Sequence, residues 1–491
     1  MKKLIYLLLF FCLLSNLVSA QDFFLNERGI REFAISPDSK LMAYLHNDPG
    51  WSGYINLYDI EKKSIIKKID SKTIDFNSTL SFSPDYKYLA WNNYGAINIY
   101  NLTSGKIESI KINCSKFAFS PVNNLIVACS DDGASGANIS LIDSKSLIVF
   151  KNIKIPWNSW NESVSYDGSS VTTYVEGKLN YCSFLQNQNI VKINLRNSYA
   201  DSYSVSNNNK YFVTFGDSMT VGRFSDFTFN KYGLNKIVSN VMATCFTPLD
   251  QNIIYGTYNA YKEPNYQIYI SDLSGYVINT LVSQEPRKLV FTPNGKYLVC
   301  REGFGIRFLE AKKLLPYIGF YTKYYDMYYK DYQNDLKTVF EKSKTRGEFE
   351  TQEEYEVRIA DAFTLKKSLD DKYYDLFSDL VNGDIAKQNS EYDKQNSEVQ
   401  DKINNSIELV ETKINSIGTY VIEKELLPIT INGVTESIKI NRDEAKSLKE
   451  NFASAVVKGK KRLKYDLKNY EFFELTIIHP VSFTEYKFGN W

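Results

Sequence analysis

Histidine is nearly missing from this chain: His46 and His479 are the only two in 491 residues, and no Ser-His-Asp or His-rich site is spelled out around either. There is no Gly-x-Ser-x-Gly elbow and no His-Glu-x-x-His pair, and neither glycine-rich phosphate cradle occurs. Cysteine is scarce too. Beyond Cys12, the five residues Cys114, Cys129, Cys182, Cys245 and Cys300 stand singly, an odd number with no Cys-x-x-Cys, so neither a disulfide framework nor a zinc knuckle is expected. They read instead as small buried apolar residues. Charge of one sign is also lacking: 58 Lys+Arg face 57 Asp+Glu, which excludes the global field that draws a protein to nucleic acid. No cofactor or metal is expected, and no catalytic residue is assigned. The loops Ser130-Asp131-Asp132-Gly133 with Asn138, and His46-Asn47-Asp48, lack the regular oxygen spacing of a calcium loop.

What is abundant is aromatic. The 37 Tyr and 30 Phe supply large amphipathic side chains that suit half-buried strands. At 491 residues the chain is too long for one core, and two or three folded units are expected.

Residues 1–20 have the form of a secretory signal: Lys2 and Lys3, an apolar run from Leu4 to Leu14, and Val18-Ser19-Ala20 before a cleavage point at Gln21. No later run reaches eighteen apolar residues, so no membrane span is expected after cleavage and export to the periplasm or cell surface is. Six Asn-x-Ser/Thr sites begin at Asn77, Asn101, Asn113, Asn138, Asn161 and Asn404; they carry no assigned role.

Between about residues 30 and 315 a short pattern recurs: an alternating strand, a Ser-Pro-Asp-like turn, a second strand. The copies are Ser36-Pro37-Asp38, Ser83-Pro84-Asp85, Ser120-Pro121, Ser165-Tyr166-Asp167-Gly168, Ser206-Asn207, Thr247-Pro248 and Thr292-Pro293-Asn294-Gly295. Subtracting successive positions 37, 84, 121, 166, 207, 248 and 293 gives intervals of 47, 37, 45, 41, 41 and 45, the length of a four-stranded propeller blade. Proline presets φ, and the Asp, Asn or Gly that follows tolerates the reversal. Third strands follow at Ile55–Asp59, Ile97–Asn101, Ile139–Asp143 and Ile268–Asp272, and Ser104-Gly105 and Ser274-Gly275 break the chain before a fourth.

These residues resemble the WD40-like propeller repeats, including the Ser-Pro-Asp-Gly variety of bacterial exported proteins such as the TolB-like group. The Gly-His and Trp-Asp pairs are missing; Tyr58-Asp59 only approximates them. The resemblance implies a seven-bladed β-propeller over residues 21–315 and leaves activity open.

Beyond Leu309 the period becomes helical. Tyr317, Tyr321, Tyr324, Tyr325, Tyr328 and Tyr332 gather on one helix face, read here as a docking stripe rather than a ligand-stacking surface. Thr351 with Glu354 forms a capping box, which makes Glu348, Glu350, Glu353 and Glu354 helix-start residues, not catalytic or metal ligands. The stretch Gly347-Glu348-Phe349-Glu350-Thr351…Tyr355 resembles a motif that accompanies repeat domains in secreted proteins of Bacteroidetes-type bacteria. Tyr392, Val399, Ile403, Ile407, Val410, Ile414 and Ile417 predict one long helix over about 384–417, folding back in its own chain or pairing with a second copy. An α+β tail over 418–491 completes a mainly β protein: strands 419–431 and 437–440 around an Asn432-Gly433 turn, a helix over 442–452, and strands 455–467 and 472–488. Lys458–Arg462 reads as a solvated strand edge.

The expected role is that of a non-enzymatic binding or scaffold protein, its propeller rim meeting another protein or a cell-envelope polymer. The competing class is a propeller hydrolase using acids in the central channel.

Overall fold

The computed structural model describes residues 22–488 except 48–52, 72–77, 94, 121, 123–124, 132–136, 156–160, 165–169, 176–177, 184–189, 195–201, 208–209, 216–217, 226–227, 233–239 and 260–262; over 155–202 only strand backbones are described. The signal segment, Asp48, Asp132, Gly133 and the turn at Tyr166 therefore lie outside the described residues. The chain divides into two compact units, residues 1–382 and 383–491.

The repeated turn explains itself in hydrogen bonds. Ser36 Oγ donates to Asp38 Oδ1 at 2.5 Å while accepting from the Leu41 amide at 2.8 Å, and the Lys40 amide donates to the same carboxylate at 3.1 Å. Ser83 and Asp85 repeat this with the Tyr88 and Lys87 amides, and Thr292 and Asn294 with Tyr297 and Lys296. A short polar side chain two residues before the bend thus closes it from within. The fourth position is left-handed in every described copy of this geometry: φ is 62° at Ser39, 60° at Tyr86, 54° at Asp250 and 71° at Gly295.

Each turn joins the first two strands of a four-stranded antiparallel sheet. Seven such sheets are described in the first unit, spanning 30–70, 80–111, 116–155, 161–194, 202–232, 240–282 and 288–310. The first six are wound in simple sequence order. The seventh has only three strands of its own, and Phe23–Asn26 supplies its fourth by pairing with Gly305–Glu310, Phe23 opposite Phe308. The unit is thus mainly β and propeller-like.

The cores lie between successive sheets. Leu45, Ile55 and Leu57 of the first pack with Leu89 and Trp91 of the second, and Ile97 and Ile99 with Phe117 and Ala128 of the third. Farther on, Val213 and Phe215 meet Ile253 and Tyr255, and Ile268 and Ile270 meet Leu298 and Cys300. Phe33, Met42 and Tyr44 of the first sheet pack with Val299, Ile306 and Phe308 of the seventh. In the first, second, sixth and seventh sheets alternating strand faces therefore bury both sides.

After a helical turn at Ala311–Leu314, two long helices follow: α1, Tyr317–Lys342, and α2, Gln352–Asn405, which continues into the second unit. The capping box starts α2: the Glu354 amide donates to Thr351 Oγ1 at 3.2 Å and the Thr351 amide to Glu354 Oε2 at 2.8 Å.

The second unit corrects three expectations: Ile422–Lys424, read within a strand, is a short 3-10 turn, residues 472–488 hold parts of two strands with a turn between them, and the long helix is shorter. The helix does not reach residue 417: it ends at Asn405, and Glu408–Thr412 and Ser416–Ile417 are strands. Asn404-Asn405-Ser406 is a weak helix former followed by β-branched residues, and burial of Ile414 with Leu427, Ile429 and Val457 outweighs the helical period. Only Tyr392, Val399 and Ile403 of the proposed seam are helical, and Tyr465 donates to Asn396 on that same face. The strands form a four-stranded sheet of Glu408–Thr412, Val456–Leu463, Tyr470–Ile478 and Glu485–Phe488, and a three-stranded one of Ser416–Ile417, Leu426–Ile431 and Val434–Lys439. The Asn432-Gly433 turn, with φ of 50° and 82°, links the last two. Helix α3, Arg442–Asn451, is capped by Asn441 and buries Ala445 and Leu448 in the same core.

Candidate functional site

Antiparallel strands force the two ends of each sheet to differ. One end carries the Ser/Thr-Pro turns, and the opposite end carries the links between second and third strands, such as Gly303-Phe304.

The turn end lies under the helices. Along α1 the tyrosine hydroxyls reach a series of turns: Tyr317 donates to Asn252 Oδ1 at 2.8 Å and lies 3.0 Å from the Thr247 hydroxyl, Tyr321 donates to the Pro293 carbonyl at 3.1 Å, Tyr325 to the Pro37 carbonyl at 3.3 Å, and Tyr329 meets the Tyr86 hydroxyl. Residues 321, 325 and 329 are one helical turn apart, and they address the seventh, first and second sheets in turn. From α2, Tyr355 donates to Asp143 Oδ2 at 3.1 Å and Tyr374 to the Leu249 carbonyl at 2.7 Å. Leu336, Val339, Tyr355, Ile359 and Phe363 close over Val122 and Leu125 of the third sheet. The stripe read from the sequence is a docking face, and the turns are what it docks on.

Burial shows in the phenols. It pushes Tyr329 up to about 12, against the lowering influence of the Tyr86 hydrogen bond, and raises Tyr317 and Tyr355 as well. Burial also takes Tyr373 up to about 12, helped by its hydrogen bond to Asp335.

The hairpin between α1 and α2 is tied at its tip. Arg358 Nε and Nη2 each lie 2.7 Å from Glu350, while its Nη1 donates to the Lys342 and Lys344 carbonyls at 2.5 and 2.9 Å. Arg358 and the Gly347 amide hold the Glu350 carboxylate down to about 2. Glu354 caps the helix, and Glu348 and Glu353 face solvent. None of the four acids is part of a described metal-binding group.

Between hairpin and sheets remains a cavity of about 380 Å³. Its floor comes from the first strands of several sheets and their turns, Ile35, Val205, Phe246 and Phe291 among them, and its roof from Tyr321, Tyr325, Tyr373 and Phe377. Nothing in the sequence pointed to it.

Both histidines are held against backbone groups. His46 Nε2 lies 2.7 Å from the Arg28 carbonyl and its ring stacks on Tyr54. His479 is buried, its Nδ1 accepts the Val481 and Ser482 amides at 3.2 and 3.0 Å, and its Nε2 is 3.1 Å from the Glu444 carbonyl. Buried acids are likewise engaged: Glu302 accepts from Ser283 at 2.7 Å and Asp143 from the Lys145 and Ser146 amides at 2.9 Å. Ser130 and Asn138 face each other across a strand pair. Among the described residues no group of three or more His, Cys, Asp or Glu could hold a metal ion; Cys245 and Cys300 are free thiols, and Cys114 and Cys129 are buried. The basic run is laced to carboxylates, Lys460 to Glu474 at 2.6 Å, Lys461 to Glu408 at 2.8 Å and Arg462 to Glu471 at 2.6 Å. No described helix is long and apolar enough to cross a membrane.

No protein-family model matches this sequence, and no curated protein does. Among solved structures the chain is similar to hydrazine synthase of Kuenenia stuttgartiensis, at 12% identity and a TM-score of 0.48, over 60% of this chain and 98% of that one.

Proposed function

We propose that this chain is an exported, non-enzymatic binding or scaffold protein whose seven sheets close into a seven-bladed propeller. Closure is supported by the N-terminal strand Phe23–Asn26 pairing into the last sheet, and by the shared core of first and seventh sheets. Export is supported by the charged, apolar and small-residue sequence of residues 1–20.

One observation carries the binding role: the helical hairpin occupies the turn end of the sheets, which leaves the opposite end as the rim for a partner. Phe304, 49% exposed with the Arg28 guanidinium 5.1 Å above its ring, belongs to that rim. An aromatic beside an arginine is the surface chemistry of a protein–protein contact. The partner is another protein or a cell-envelope polymer.

The test is photocrosslinking in the native cell envelope with the full chain, the crosslinker placed at Phe304 or at Tyr276, an exposed residue at the turn end. A defined adduct from position 304 and none from 276 supports the reading. Adducts from 276 alone, or from neither position, overturn it.

A further inference from the structure

We propose that the cavity under the hairpin is a binding site for a small alkylated ammonium ion. This goes beyond the rim reading, because the site lies at the other end of the sheets and takes a small molecule.

The size is right for a ligand: about 380 Å³ falls within the range of small-molecule pockets. Its roof is an array of rings centred on Phe377, whose centroid lies 5.7 Å from that of Tyr321, 6.2 Å from Tyr325 and 6.0 Å from Tyr373. Tyr332 packs edge-on to Tyr373 at 5.0 Å. These rings line one space at several angles, Lys366 Nζ lies 5.8 Å from the Tyr332 centroid and Lys372 Nζ 4.9 Å from that of Tyr373, and the π face of an aromatic ring attracts a cation.

The polar groups decide between ligand classes. The hydroxyls of Tyr321, Tyr325 and Tyr374 are engaged with backbone carbonyls, and those of Tyr332 and Tyr373 with Asp370 and Asp335. A saccharide would need those donors free. The charged lining consists of Lys367 against Asp370 and Asp371, one positive charge and two negative. Asp370 already holds Lys366 Nζ at 2.5 Å and the Tyr332 hydroxyl at 2.8 Å. Asp371 has no partner among the described residues, so its carboxylate is the one left to face a ligand. A neutral apolar guest would bury that charge unpaired, at a cost a cation avoids. Lys367 is exposed, and its long stem allows the ammonium to stay in water beside the mouth.

The experiment is calorimetric titration of the full chain with choline and with 3,3-dimethylbutan-1-ol, its uncharged carbon isostere. Saturable choline binding at least about tenfold tighter than the isostere is expected. Asp371→Asn should weaken choline about tenfold with the melting temperature unchanged, and Phe377→Leu should weaken choline more than the isostere. No saturable choline binding into the millimolar range, equal binding of the two compounds, or full affinity in the Asp371→Asn chain would each overturn the proposal and leave the cavity as a packing void.

Discussion

Tyr325 in α1 donates its hydroxyl to the carbonyl of Pro37, 288 residues earlier, and so ties a helix to the first repeat turn of the sheets. Tyr321, one helical turn before it, does the same to Pro293 of the last. A four-residue step along the helix therefore matches the step from one sheet to the next around the turn end.

Removing those hydroxyls leaves part-buried carbonyls without their donor. Tyr321→Phe, Tyr325→Phe and Tyr374→Phe should each destabilise the first unit by about 1 kcal/mol, with Tyr374 the most costly because its 2.7 Å bond to Leu249 is the shortest. Chemical denaturation of the single and triple variants checks this; an unchanged midpoint in the triple variant contradicts it.

Gly295 is needed for a different reason from the one its turn suggests. Ser39, Tyr86 and Asp250 occupy the equivalent left-handed position with ordinary side chains. At Gly295, however, a Cβ would come 2.7 Å from Tyr321 Cδ1. Gly295→Asn, which tolerates the backbone, should thus destabilise by about 1–3 kcal/mol in the native chain and by clearly less in a Tyr321→Ala background. A purely additive double-mutant cycle would refute the contact.

The hairpin tip should loosen in acid. Glu350 has its folded-state value lowered from 4.5 to about 2 by Arg358, so the ion pair contributes stability fully above pH 4.5 and loses it as pH falls toward 2. Limited proteolysis over 343–351 should accelerate through that window, and Glu350→Gln should cleave faster at pH 7 with a flatter response to acid. An identical pH profile in the variant would show that the pair does not hold the turn.

The turns were legible in the sequence because Ser36-Pro37-Asp38 and its copies close within six residues; local chemistry suffices to write them. The tyrosine stripe was legible as a face but its target was not, since Pro37, Tyr86 and Pro293 approach α1 only once the sheets are assembled. The end of α2 was misread because Ile403, Ile407, Val410 and Ile414 keep a helical spacing while tertiary burial of Ile414 favours strand. The cavity left no trace at all: Ile35, Val205, Phe291, Asp371 and Phe377 share no motif and meet only through long-range packing.

The seating of α1 on the turn end can be read directly from the contact between the Tyr329 and Tyr86 hydroxyls. Brief photo-oxidation followed by mass spectrometry of dityrosine-linked peptides measures it. The account predicts a peptide pair joining residues 86 and 329 that disappears in Tyr329→Phe; links from Tyr329 to other sheet tyrosines, with none to Tyr86, would contradict it.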